Sequence, residues 1–134
     1  LLYFNTRKDI KLNLIKPEND IYFHFDTLQI SRCFSNLIKN AIEAVEKIPN
    51  PAVEVLMATD AKNIKIEIKD NGVGIDEKML SKIFEPYFTT KTKGTGLGLS
   101  IVKRIIEDHG GKIKIEKNKN MAGTTSLINF EYNA

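Results

Sequence analysis

Three short stretches carry residue types that do chemistry, at spacings that ordinary structure does not ask for. In NLIKNAIEAV, Asn36, Asn40 and Glu43 recur every three or four residues, the spacing of one helix face. Asparagine is about half a kcal/mol or more worse than alanine inside a helix. Two of them one turn apart, with a carboxylate one turn on, form a row of oxygen donors in place of a Glu–Lys ladder. Such oxygens suit a hard cation such as Mg²⁺, which keeps several waters and shares its shell with phosphates. A plain solvated face, with Arg32 and Lys47 extending it, also accounts for the stripe.

The second stretch is NIKIEIKDNGVGI. Ile64, Ile66, Ile68 and Asp70 fall on one face of a strand, and Lys65, Glu67 and Lys69 on the other. Asp70 is thus in register with buried isoleucines, where a carboxylate without a partner is costly. It could cap the Asn-Gly turn through its own backbone. It could equally accept a hydrogen bond from a ligand amino group, with Gly72 and Gly74 letting a flat ring approach. In the third stretch, KTKGTGLGLSIVKRII, Gly94, Gly96 and Gly98 alternate ahead of a helical pattern. Alternating glycines let successive N–H groups converge on an anion, and the helix that follows adds its positive end. A flexible hinge is the other reading. The Gly-Lys-Ser/Thr ending of a P-loop is absent, and no strand runs directly into the glycines as in a dinucleotide fingerprint.

The elements that must hold these stretches follow from periodicity. DIKLNLIK alternates Ile10, Leu12 and Leu14 against polar neighbours, a half-buried strand, and IYFHF reads as another. Asp26 caps a long helix running to about Ile48, before Pro49 and Pro51; its core side is Ile30, Phe34, Leu37, Ala41, Val45 and Ile48. AVEVLMA and NIKIEIKD are strands, Asp76 opens a short helix through Ile83, and residues 82–96 read as a loop. The helix after the glycines ends at His109, with Gly110 and Gly111 as its stop. KIKIE and TTSLINFEY close the chain around the turn NKNMAG. The expected fold is a two-layer α/β sandwich: a mixed, mostly antiparallel sheet of about five strands with about three helices on one face.

The chain has 134 residues, a net charge of +3 with Lys and Glu interleaved, and one cysteine, Cys33. That length suits a single core. The single thiol makes no internal disulfide and suits a reducing compartment. No concentrated basic face points to nucleic acid, and no apolar run is long enough to span a bilayer.

Taken together and in order, the motifs resemble those of the ATP-binding domain of bacterial sensor histidine kinases. That domain belongs to the superfamily that includes DNA gyrase, the heat-shock chaperone ATPase and mismatch-repair ATPases. NLIKNAIEAV looks like its asparagine box, DNGVGI its first glycine box, IFEPYFTTK its phenylalanine box, GTGLGLSIVK its second glycine box, and GTTSLINF its closing strand. The match covers residues 10–134, as a Bergerat-type ATP-binding fold. LLYFNTRK, within residues 1–9, resembles the end of a dimerisation-domain helix or a linker.

The resemblance implies ATP and Mg²⁺ as cofactors. Asn40 would ligate the metal, with Asn36 lining the phosphate end. Asp70 would accept from the adenine amino group, with Gly72, Gly74, Ile75 and Thr124 around the base. Gly94, Thr95, Gly96, Leu97, Gly98 and Leu99 would face the phosphates. Phe84, Tyr87 and Phe88 would pack at the root of a short lid carrying Lys91 and Lys93. Where many members of the family have Lys or Arg, this chain has Glu43, so the lid lysines, Lys91 foremost, would supply the missing cation. The hydrolytic relatives carry a glutamate base where this chain has Asn36, and an amide takes no proton from water.

Transfer of the γ-phosphate is thus favoured over an ATP-hydrolysing conformational module or a non-catalytic nucleotide-binding domain. Neither His24 nor His109 is followed by the acidic residue and proline of a phosphoacceptor box. Both read as structural, His109 as a cation suited to a helix C-terminus. The implied partners are a histidine-bearing dimerisation domain of the same protein and a response regulator receiver domain, without nucleic acid or direct membrane contact by this domain. The expected setting is a cytoplasmic domain, monomeric alone and part of a homodimer at full length.

Overall fold

The computed structural model describes residues 10–16, 25–88 and 98–131. Among these residues five strands and three helices run in the order β1 (Lys11–Ile15), α1 (Thr27–Val45), β2 (Ala52–Thr59), β3 (Asn63–Asp70), α2 (Glu77–Leu80), α3 (Gly98–Asp108), β4 (Gly111–Lys117) and β5 (Thr124–Glu131). The expected strand IYFHF lies outside the described residues except for Phe25, as does the segment 1–9.

The strands form one sheet in the order β1-β2-β3-β5-β4. β1 is parallel to β2, as a connection through a helix allows, and every other pair is antiparallel. This is the mixed, mostly antiparallel sheet that the pattern predicts. One sheet face supplies Val53, Ile64, Ile66, Ile68, Ile128 and Phe130 to the core, where they meet the apolar sides of α1 and α3. On the opposite face Lys65, Glu67, Lys112 and Lys114 carry the charge.

Asp26 caps α1 as expected, its carboxylate accepting from the Gln29 N–H at 3.1 Å. The buried side of α1 is wider than one stripe: Cys33, Ile38 and Ile42 join Ile30, Leu37, Ala41 and Val45, while Phe34 and Ile48 are only partly buried. The reason is that α1 is covered twice, by the sheet and by α3, and Cys33 lies in the seam with its thiol directed at the Val102 carbonyl 3.8 Å away. β1 departs from expectation in the other direction. Leu14, read as inward, is 62% exposed, because β1 is an edge strand and α1 packs over β2 and β3.

α2 is only Glu77–Leu80, capped by Asp76, and turns carry the chain on to the buried Ile83. Gly110 ends α3 with φ +76°, the left-handed stop that glycine permits. His109, next to it, accepts the Asp26 N–H at Nε2 (3.0 Å), and its Nδ1 faces the Ile105 carbonyl at 2.7 Å. His109 therefore ties α3 to the start of α1 through its ring, a structural role.

Candidate functional site

The alternation along β3 holds to its last residue. Ile64, Ile66 and Ile68 are 2–3% exposed, and Asp70, on the same face, is 6% exposed. Its carboxylate is divided between two jobs. Oδ1 accepts the Gly72 N–H at 2.9 Å and the Thr124 N–H at 3.3 Å, which is the turn-capping role. Oδ2 has no hydrogen-bond partner among the described residues. Burial pushes the carboxyl above its usual range, and the two backbone N–H groups offset this only in part. One group thus caps its own turn and still offers an acceptor, so the two sequence readings of Asp70 are compatible.

The loop after Asp70 is fastened to α1. Asn71 accepts the Ala52 N–H at 2.8 Å and donates to the Asn50 carbonyl at 2.9 Å. Gly72 lies against the backbone of α1, where a Cβ would come within 2.3 Å of the Ala44 carbonyl oxygen. The Val73 N–H donates to that same oxygen at 3.3 Å. Close helix approach therefore requires a glycine at Gly72 whatever else occupies the site. Gly74 is required for its φ of +76°.

At the other end of the helix face, Gly98 opens α3 directly over Asn36. A Cβ there would lie 2.6 Å from Asn36 Nδ2. Between the two ends, Asn40 donates its amide to Asn36 Oδ1 at 3.1 Å, which joins the two asparagines on this face; an amide oxygen is the kind of atom a hard cation takes. Positions 36, 40 and 44 share one face of α1, and at 1.5 Å per residue the Gly98 and Gly72 contacts stand about 12 Å apart along it. Asn36, Asn40 and Glu43 are half-buried, so this face is a seam between elements and not a freely solvated stripe. The first-turn N–H groups of α3 lie at the Asn36 end, and their dipole favours negative charge there.

The remaining expected residues are placed as follows. Thr124 is buried and joined through its N–H to Asp70. Ile75 and Gly74 line a cavity of about 320 Å³ with Lys117, Asn118 and Gly123. Leu99 is partly buried against the core. Phe88 is half-buried, and Phe84 lies under the Lys103 ammonium, 5.3 Å from the ring centroid. Tyr87 does not pack with them: it is 75% exposed, with φ +68° turning it out of the lid root. Lys91, Lys93, Gly94, Thr95, Gly96 and Leu97 lie outside the described residues.

Among the described residues no group of three or more His, Cys, Asp or Glu side chains could hold a metal by itself. Amide oxygens beside the positive end of a helix fit a cation that takes most of its ligands from phosphate and water. Sequence reasoning missed two contributors. Ala44 acts through its carbonyl, which leaves no mark on residue type. Asn118 opens the turn NKNMAG, where its residue type was legible only as that of a turn.

The family model for histidine kinase-, DNA gyrase B- and HSP90-like ATPases matches residues 25–133. The chain belongs to this ATPase family, as the ATP-binding catalytic domain of a histidine kinase. Sporulation kinase A of Bacillus subtilis is 40% identical over 113 residues, 84% of this chain but 18% of that protein; the chain thus spans about a fifth of such a relative. The solved catalytic domain of the histidine kinase ThkA is 35% identical, with a TM-score of 0.80 over 92% of this chain and 79% of that one. ThkA in a complex with the response regulator protein TrrA matches at 30% identity and a TM-score of 0.76, over 93% of this chain and 35% of that one. No helix among the described residues is long and apolar enough to cross a membrane.

Proposed function

We propose that the domain binds Mg·ATP along the 36–40–44 face of α1, with adenine at Asp70 and the phosphates toward the start of α3. The observation that carries this reading is the divided carboxylate: Oδ1 is held by two N–H groups while Oδ2 has no partner among the described residues, which suits the amino group of a base. Ile75, Gly74 and Thr124 surround that end. Gly94, Thr95, Gly96, Leu97, Gly98 and Leu99 present backbone to the phosphates, and Lys91 and Lys93 supply the cation that Glu43 does not. Asn40, with Asn36 beside it, would hold Mg²⁺, which neutralises phosphate charge when bound.

The reaction is γ-phosphoryl transfer to a histidine on a separate dimerisation domain. The imidazole nitrogen forms a bond to phosphorus as the bond to the β–γ bridging oxygen breaks, and ADP departs. Asn36 stands where hydrolytic relatives hold a base, so this domain positions and neutralises without activating water. His109 is occupied by its two backbone contacts, which leaves the acceptor to another domain. Onward transfer goes to an aspartate of a response regulator receiver domain, in a homodimeric protein whose catalytic half is cytoplasmic.

The test is transfer of label from γ-labelled ATP to a dimerisation domain supplied separately. Mg²⁺-dependent labelling of its histidine that Asn40→Ala abolishes is the expected result. Rapid hydrolysis without any acceptor would overturn the assignment.

A further inference from the structure

The Asp70 carboxylate is only as well aimed as the main chain that carries it, and that main chain is held from an unexpected place. The Asn71 N–H turns to the Ala52 carbonyl on β2, so by the alternation of an antiparallel ladder the Asp70 carbonyl faces β5. The paired register with β5 stops one residue short, at Lys69 and Thr125. Beyond it the Thr124 N–H is bonded to the Asp70 side chain. The Asp70 carbonyl is taken by a side chain from the β4–β5 turn: Asn118 Nδ2 donates to it at 2.7 Å.

Asn118 is itself fixed at three polar atoms. Nδ2 also donates to the Ala122 carbonyl at 3.1 Å, its backbone N–H donates to the Gly123 carbonyl at 3.1 Å, and Oδ1 accepts the Thr125 hydroxyl in a short bond. Gly123, with φ +111°, lets the turn come so near that a Cβ would sit 2.0 Å from the Asp70 carbonyl oxygen. A half-buried amide, clamped by its own turn, therefore bonds the peptide that carries the candidate base-reading carboxylate.

We infer that Asn118 is a positioning residue for nucleotide recognition: it holds the Asp70 main chain so that Oδ2 meets the 6-amino group of adenine. The inference rests on the assignment of Asp70 to the base. Asn118 acts through the Asp70 peptide that it bonds, and its effect is confined to how well the amino group is distinguished.

The experiment compares dissociation constants for ATP and for purine riboside triphosphate, which lacks only the 6-amino group, by calorimetry on the whole chain. In the unaltered protein ATP binds at least about tenfold tighter, as a hydrogen bond to a charged acceptor provides. Asp70→Asn removes the preference. Asn118→Ala lowers it to about threefold or less while the affinity for the analogue stays within about twofold. Thr125→Val, which keeps the strand and removes only the hydroxyl that orients the amide, lowers the preference in the same direction and by less. Equal weakening of both nucleotides by Asn118→Ala, or an undiminished preference in either variant, overturns the inference. No preference in the unaltered protein overturns the Asp70 assignment and this inference together. A preference lost in Asp70→Asn but intact in the other two overturns this inference alone.

Discussion

Replacing Gly72 with alanine is the sharpest perturbation of the joint between β3 and α1. The backbone there needs no left-handed conformation, so the substitution acts through space alone. A Cβ would stand 2.3 Å from the Ala44 carbonyl oxygen, 2.7 Å from its carbon and 2.9 Å from its Cβ. Ordinary contact begins near 3.4 Å, so the loop and helix must separate by roughly 1 Å. The yielding atoms are helix backbone, which cannot rotate away as a side chain tip would.

Overpacking of this kind costs about 1–3 kcal/mol. Separation also breaks the Val73 N–H bond to Ala44, already 3.3 Å long, for about 1 kcal/mol. Restricting the unfolded chain returns about 0.5–1 kcal/mol. The net loss is about 2 kcal/mol, which for a chain of this size lowers the melting temperature by roughly 6–8 °C. Thermal unfolding followed by circular dichroism measures it, with Gly110→Ala as comparison. At Gly110 nothing lies within 4 Å of a new Cβ and only the positive φ is at stake, so its loss is about 1 kcal/mol. A Gly72→Ala protein that melts within 2 °C of the unaltered one would refute the close-approach argument.

Three further outcomes follow from the burial of single groups. Because Asp70 has a raised carboxyl pKa from burial, its charged form penalises the fold above that pKa. The penalty fades as pH falls toward the ordinary carboxylate range, below which both folded and unfolded forms are neutral. Thermal melts of the unaltered protein and Asp70→Asn should therefore converge or cross in the unaltered protein's favour on acidification, and a gap independent of pH would contradict this. In that same window the protonated carboxyl offers a donor to a donor, so the preference for ATP over the analogue without an amino group should decline. Cys33, 1% exposed, has its thiol pushed up to about 11 by burial, so a thiol reagent at neutral pH should label it only when denaturant opens the α1–α3 seam. Rapid labelling of the native protein would show that seam to be open.

Much of this molecule was legible from the order of its residues. Period-two alternation located β3 and placed Asp70 on its buried face, because side-chain direction along a strand is a local property. Asp26 and Asp76 announced helix starts for the same reason: a cap satisfies N–H groups two or three residues away. The asparagine pair on α1 and the glycines before α3 were visible as departures from what a helix or loop would choose for itself.

What residue order could not supply were the partners that each element would meet. The apolar side of α1 is wider than its main stripe because α3 covers a second flank, and no periodicity within α1 reports the arrival of another helix. Leu14 alternates as an inward residue yet stays exposed at the edge of the sheet. His109 lies one residue beyond a helix, and the Asp26 N–H that its ring accepts comes from across the fold. Gly72 reads as room for a ligand, and the space beside it is taken by the Ala44 carbonyl. Asn118 reads as a turn residue until β3 and β5 bring the Asp70 peptide within its reach. Caps and alternation are set by neighbours a few bonds away, whereas these contacts join residues tens of positions apart, and only the folded chain brings them together.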